Sequence, residues 1–166
     1  MNKEEYIEVI SRHKNLIYKI CFSFCSDPDD RKDLEQEILV KIWNGFSRFD
    51  GRVNISTWIY RIALNTAISF YRSEKKKGYK VSMDSAIFSL SDSSDMETEH
   101  KQNVEQLYCF IEELKEFDKA LMLLYLDDIK YSEISKIIGI TETNVATKIN
   151  RIKKQLKEKF ERQKKE

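Results

Sequence analysis

One proline and four glycines in 166 residues leave this chain almost without the two residue types that punctuate turn-rich folds. A protein built from hairpins needs both, glycine for positive φ and proline to preset turns. The apolar residues recur at helical rather than alternating spacing, so the expected fold is all-α. Long hydrophobic runs are missing too. No stretch approaches the length that crosses a bilayer, and the leading MNKEEYIEV has no apolar core of the kind a signal peptide carries. A cytoplasmic protein with no membrane insertion is expected.

Reactive chemistry is equally sparse. His13 and His100 are the only imidazoles, and Cys21, Cys25 and Cys109 form an odd set without a C-x-x-C pair. Cys21 and Cys25 sit four apart on an apolar helix face and could supply half a metal site, but buried free thiols in a reducing compartment account for the set better. There is no Gly-rich phosphate loop, no nucleophile motif and no zinc-protease helix. A non-enzyme without metal or cofactor is the expectation.

What the chain has in quantity is charge, 34% of its residues, at a formal net of only +1. That balance hides an alternation. Residues 143–166 hold nine Lys/Arg against three Asp/Glu, and residues 61–80 hold six against one, whereas residues 81–142 hold five against fourteen. A uniformly basic protein binds polyanions indiscriminately; two basic islands separated by an acidic span suggest two nucleic-acid contact sites. Lys75, Lys76 and Lys77 also suit a helix C-terminus without any partner.

The second island overlaps a helix-turn-helix. Tyr131 to Gly139 and Glu142 to Leu156 read as two helices joined by a tight bend, with Ile134, Ile137 and Ile138 forming the apolar face of the first. Gly139 supplies positive φ at the turn, and Thr141 can cap the second helix. Val145, Ile149, Ile152 and Leu156 recur at spacings of four, three and four, one buried stripe. Thr143, Asn144, Thr147, Lys148 and Arg151 fall on other faces, and such side chains meet base edges and phosphates in a major groove.

Upstream, residues 4–25 read as a helix with Ile7, Ile10, Ile17, Ile20, Cys21 and Phe24 inward. Pro28 stops it. A second helix spans about Asp29 to Phe46, with Leu34, Ile38, Leu39, Ile42, Trp43 and Phe46 apolar. After the polar loop Asp50-Gly51-Arg52-Val53-Asn54, Ser56 can cap a third helix, Thr57 to about Lys77, that turns Trp58, Ile59, Ile62 and Ala63 inward. The Ser- and Asp-rich residues 78–103 have the composition of a flexible acidic linker. The expected organisation is therefore two small helical domains, 1–77 and 104–166, joined by that linker.

At this point the residues carry a family resemblance. Asp33-Leu34-Glu35-Gln36-Glu37, then Trp43, then Phe49-Asp50-Gly51, then Ser56-Thr57-Trp58-Ile59-Tyr60-Arg61-Ile62-Ala63-Leu64-Asn65 resemble region 2 of the extracytoplasmic-function sigma factors, and Tyr131 to Leu156 resembles their region 4. The resemblance implies a bacterial transcription initiation factor that binds core RNA polymerase, recognises minus-35 and minus-10 promoter elements and promotes strand opening. It assigns docking on the β′ clamp of polymerase to Asp33, Gln36 and Glu37. Capture of the minus-10 single strand falls to Arg52, Asn54, Ser56, Arg61, Asn65 and Arg72. Minus-35 DNA falls to Thr143, Asn144, Thr147, Lys148 and Arg151. An anti-sigma factor is an expected further partner. Three positions depart from the family pattern: Lys130 where a capping Ser or Thr is usual, Ser135 for Ala, and Ala146 where a basic residue is common. Two rival classes fit parts of the pattern, a polymerase-independent helix-turn-helix regulator and a helical adaptor for an acidic protein; the D-L-x-Q-E helix and the helix after Asp50 favour the sigma factor over both.

Overall fold

The computed structural model describes residues 3–77 and 98–163, and the side chains from residue 102 onward in the second span. The described residues form seven helices: α1 Lys3–Phe24, α2 Pro28–Phe46, α3 Ile55–Lys76, α4 Thr98–Glu112, α5 Glu116–Leu126, α6 Tyr131–Ile138 and α7 Glu142–Gln163. They divide between two compact units, Met1–Asp84 and Ser85–Glu166. Most of the span read as a linker lies outside the described residues, but α4 starts at Thr98, inside its far end.

In the first unit α1, α2 and α3 each pack on the other two. Asp27 starts α2 by accepting hydrogen bonds from the backbone N–H groups of Asp29 and Asp30, with Pro28 in the first turn, where its missing N–H costs nothing. Ile17, Ile20, Cys21 and Phe24 of α1, Leu34, Ile38 and Ile42 of α2, and Ile59, Ala63, Leu64 and Ala67 of α3 are buried together. Ile7 is a correction: it is 52% exposed rather than inward. Tyr6 takes the inward position instead, because eleven residues before Ile17 is close to three whole turns, whereas Ile7 lies a further 100° round the helix. Tyr6 donates its hydroxyl to the Leu39 carbonyl at 2.9 Å and meets Trp43 edge-on at 4.8 Å.

Trp58 and Ile62 are half-buried rather than fully inward. Trp58 lies against Phe46 and Phe49, with ring centroids at 5.7 and 5.3 Å. Its ring edge passes so close to Gly45 that a Cβ there would sit 3.1 Å from Trp58 Cζ2. Glycine is what allows α2 and α3 this approach. Ser56 does not cap α3. The helix begins at Ile55 with Asn54 in the capping position, and Asn54 makes no side-chain capping bond.

In the second unit α7 packs on α4, α5 and α6. The stripe Val145, Ile149, Ile152 and Leu156 is buried, together with Ile134, Ile137 and most of α5. Ile138 is only half-buried. Gly139 has φ +83° and ends α6, and the Asn144 N–H donates to Thr141 Oγ1 at 3.2 Å, so the turn and the cap are both as the sequence implies. Helix α7 runs two turns beyond Leu156, to Gln163. Nothing after Leu156 breaks it, and Phe160 meets Phe110 of α4 edge-on at 4.9 Å.

Candidate polymerase and nucleic-acid interfaces

Leu34, Ile38 and Ile42 fix which way α2 faces, and a second stripe therefore points outward. Asp33, Gln36 and Glu37 lie on it, all exposed. Glu37 pairs with Lys41 one turn on at 2.7 Å, an exposed contact worth little by itself. The same stripe continues through Val40 and Trp43, which are 57% and 50% exposed. The sequence flagged the acidic and amide residues but not these two, because Trp43 follows Ile42 and reads as core until the helix rotation is known. Val40 and Trp43 thus extend the polar stripe as an exposed apolar pair beside the Glu37–Lys41 contact, the kind of side chains a docking partner can cover.

A different side of the same unit carries the residues assigned to single-stranded DNA. Arg61, Asn65 and Arg72, at spacings of four and seven, share one face of α3; Asn65 and Arg72 are exposed and Arg61 is half-buried. The loop before α3 is shaped by Asp50, which accepts from the Arg52 N–H at 3.1 Å and pairs with the Arg52 guanidinium at 3.0 Å, while Gly51 adopts φ +72°. Arg52, Asn54 and Ser56 are all exposed. Ser56 Oγ lies 2.9 Å from His13 Nε2, and His13 Nδ1 lies 2.7 Å from the Val9 carbonyl. A carbonyl only accepts, so Nδ1 carries a proton and, in the neutral ring, Nε2 accepts from the Ser56 hydroxyl. Ser56 thus ties the start of α3 to α1.

On α7 the exposed residues opposite the buried stripe include Thr143, Asn144, Thr147 and Arg151. Thr147 Oγ1 donates to the Thr143 carbonyl at 2.9 Å, so its hydroxyl offers lone pairs rather than a proton. Lys148 differs from its exposed neighbours: it is half-buried, with its ammonium 5.4 Å from the centroid of the Phe117 ring. Arg151 pairs with Asp118 of α5 at 3.0 Å. On the far flank Lys153 donates to the Tyr125 hydroxyl at 3.2 Å, and that bond pushes the Lys153 ammonium pKa up. Phe117, Asp118 and Tyr125 were not legible as partners, since all three precede the helix-turn-helix on a helix with no motif of its own.

The thiols separate into two kinds. Cys21 and Cys25 are buried free cysteines, and burial together with Glu35 pushes Cys21 up to about 12. Cys109, expected to be buried, is exposed on α4. Among the described residues no group of three or more His, Cys, Asp or Glu could hold a metal ion, and no helix is long and apolar enough to cross a membrane.

Comparison with known proteins agrees with this layout. The family profile for Sigma-70 region 2 matches residues 9–77 and that for Sigma-70, region 4 matches residues 104–156. The chain is 30% identical to RNA polymerase sigma factor SigV of Bacillus subtilis (strain 168) over 146 residues, 87% of this chain and 84% of the relative. It is 24% identical to the ECF RNA polymerase sigma factor SigW of the same strain, over 95% of this chain and 91% of that one. Among solved structures, CnrH in complex with the cytosolic domain of CnrY matches with a TM-score of 0.68 at 17% identity, covering 96% of this chain and 90% of that one. RpoE in complex with the anti-sigma factor NepR from Bartonella quintana matches with a TM-score of 0.65 at 18% identity over 94% of each chain, a likeness of fold. Two family profiles in the right order over most of the sequence, together with relatives that cover nearly its whole length, place this chain among the extracytoplasmic-function RNA polymerase sigma factors, non-enzymatic proteins that initiate transcription with RNA polymerase.

Proposed function

We propose a division of labour among three faces of this sigma factor. Residues 1–77 bind core polymerase through Asp33, Gln36 and Glu37, with Val40 and Trp43 as the apolar part of that contact, on the β′ clamp. The same unit captures the melted minus-10 strand with Arg52, Asn54, Ser56, Arg61, Asn65 and Arg72. Residues 104–166 read the minus-35 element through Thr143, Asn144, Thr147, Lys148 and Arg151, and residues 78–103 join the two. The factor acts in the cytoplasm. An anti-sigma factor holds it inactive until a signal arrives, a partner suggested by the anti-sigma factor bound in the RpoE structure it resembles.

One observation carries this reading most strongly. The buried stripe Val145, Ile149, Ile152 and Leu156 fixes the rotation of α7, and the polar residues near its capped N-terminus are then the ones turned outward. A helix N-terminus presented this way is how a helix-turn-helix meets base edges. Opening the duplex costs about 1.4 kcal/mol in stacking per base-pair step, so several captured bases and phosphate contacts must act together to offset it.

The test is transcription in vitro from genomic DNA with core polymerase, with and without the protein. Specific transcripts that appear only with it support the reading. On a promoter so identified, Asn144→Ala should relax preference at one or two minus-35 positions, by about 1–3 kcal/mol each, while Lys154→Ala weakens all sequences evenly and lowers the salt slope by roughly one unit. An unchanged preference profile in Asn144→Ala would place the recognition surface on another face of α7.

A further inference from the structure

The cations of α7 are not held alike. Lys157 reaches Glu161 only at 3.9 Å, with both side chains well exposed, a contact that constrains neither. Arg151 instead meets the Asp118 carboxylate at 3.0 Å through a single terminal nitrogen, and the Asp118 side chain is only 15% exposed. Asp118 is the third residue of α5, where the backbone N–H groups of the first turn favour a negative charge. A carboxylate mostly shielded from water is a better-defined anchor than an exposed one, and it restricts the Arg151 side chain, itself 54% exposed, before any DNA arrives.

Two consequences follow for Arg151. Its planar fork keeps unused donors after one is given to Asp118, so it can still engage a base edge or a phosphate. The fixed negative charge beside it also weakens the pull of a phosphate on that guanidinium more than the pull of an uncharged base edge. Asn144, Lys148 and Arg151, at spacings of four and three, share one flank of α7, on which Lys148 and Arg151 reach Phe117 and Asp118 of α5.

We propose that Asp118, a residue of α5 outside the helix-turn-helix, is a positioning residue that sets the base preference read by Arg151 in the minus-35 element. The proposal rests on the assignment of α7 to that element. Asp118 touches no DNA; it decides where the Arg151 fork sits and biases it toward one base rather than toward the backbone at large.

The experiment uses holoenzyme, the full chain assembled with core RNA polymerase, and a duplex library randomised across the minus-35 region of a promoter that the wild-type holoenzyme transcribes. Bound sequences are compared for wild type, Asn144→Ala, Arg151→Ala, Asp118→Asn, Asp118→Glu and the double variant Asp118→Asn with Arg151→Ala. Asp118→Asn should lose about fivefold or more of the discrimination at the position that Arg151→Ala also relaxes, and none at the positions that respond to Asn144→Ala. The double variant should match Arg151→Ala alone, because a positioning residue has nothing left to position. Asp118→Glu, which keeps a carboxylate in reach, should retain most of the preference. A residue that merely supported the fold would depress binding to every sequence, and its effect would add to that of Arg151→Ala.

Three results overturn the proposal: an unchanged profile in Asp118→Asn, uniformly tighter binding with the profile intact, which would make Asp118 a mask on Arg151, or full additivity in the double variant. If Asn144→Ala relaxes the profile while Asp118→Asn does not, Asp118 alone is misassigned. If neither Asn144→Ala nor Arg151→Ala changes it, α7 is not the reader and the role of Asp118 falls with it.

Discussion

Trp43→Ala separates the packing of the first unit from its proposed docking on polymerase. The residue is 50% exposed, and its ring centroid lies 4.8 Å from that of Tyr6 with the planes nearly perpendicular. Losing that aromatic pair costs about 0.5–1.5 kcal/mol, and losing the buried half of the side chain adds an amount of similar size. Tyr6 keeps its own anchor, the hydrogen bond to the Leu39 carbonyl, so the packing beneath should survive. At a docking surface a central Trp is commonly a hot spot worth about 2 kcal/mol or more on truncation, which is roughly a 30-fold loss of affinity.

The variant should therefore remain folded, melt a few degrees lower and bind core polymerase roughly 30-fold more weakly in an anisotropy titration of labelled protein. Asp33→Lys with Glu37→Lys is the companion measurement. Reversing two exposed charges leaves the fold intact and should abolish binding, since like charges across an interface cost far more than on a solvated helix face. Trp43→Ala within about twofold of wild type, beside a double charge reversal that fails to bind, would restrict docking to the polar residues. Full affinity in both variants would remove core binding from this face of α2.

The remaining predictions address the other surfaces and the interior. Alanine at Asn54, Arg61 and Asn65 together should leave polymerase binding nearly unchanged and reduce strand opening, read as lower permanganate reactivity of minus-10 thymines; undiminished reactivity would count against that face of α3. Gly139→Ala meets no atom within 4 Å but must hold φ near +83°, a strain of about 1–2 kcal/mol, so its melting temperature should fall while the groups on the outer face of α7 stay in place. Gly45→Ala tests the opposite physics, ordinary helix backbone with a Cβ 3.1 Å from Trp58, and its stability should fall short of the roughly 1 kcal/mol that alanine gains over glycine at an unobstructed helix position; the full gain would show that the Trp58 ring yields freely. A thiol reagent at pH 8 should label Cys109 at once and leave Cys21 unmodified until the protein unfolds, because a group pushed up to about 12 stays a thiol throughout that range; rapid labelling of Cys21 in native protein would contradict its burial.

The helix-turn-helix was legible because every contact that defines it is local. An apolar stripe, a glycine one residue past α6 and a threonine before α7 lie within a few turns of one another, and each selects the same conformation. The break between α1 and α2 was legible at Pro28, although α1 already ends at Phe24 and Pro28 opens α2, where the sequence reading places no cap at Asp27. By contrast, residues 104–130 carry no assigned helix in the sequence, although most of α4 and all of α5 lie there. Ala120-Leu121-Met122-Leu123-Leu124 is apolar without period, and such a run reads equally as a buried strand or a helix buried on all sides. Ile7 went wrong by one position: an isoleucine and a tyrosine side by side offer two stripes 100° apart, and only the partner helix selects between them.

The same distinction governs the binding faces. The sequence sees that residues 143–166 are basic, and it counts their cations as equivalent. Helix α5 makes them unequal: Phe117 draws Lys148 partly out of water, Asp118 grips Arg151, and Tyr125 holds Lys153 on the far flank. These partners stand 28 to 33 residues upstream of the side chains they control in the two hydrogen-bonded pairs. Long-range electrostatic attraction to DNA depends on how many cations there are, and composition reports that faithfully. Under the proposed assignment of α7 to the minus-35 element, discrimination between bases depends on which cation is held where, and so on α7 together with the helix beneath it.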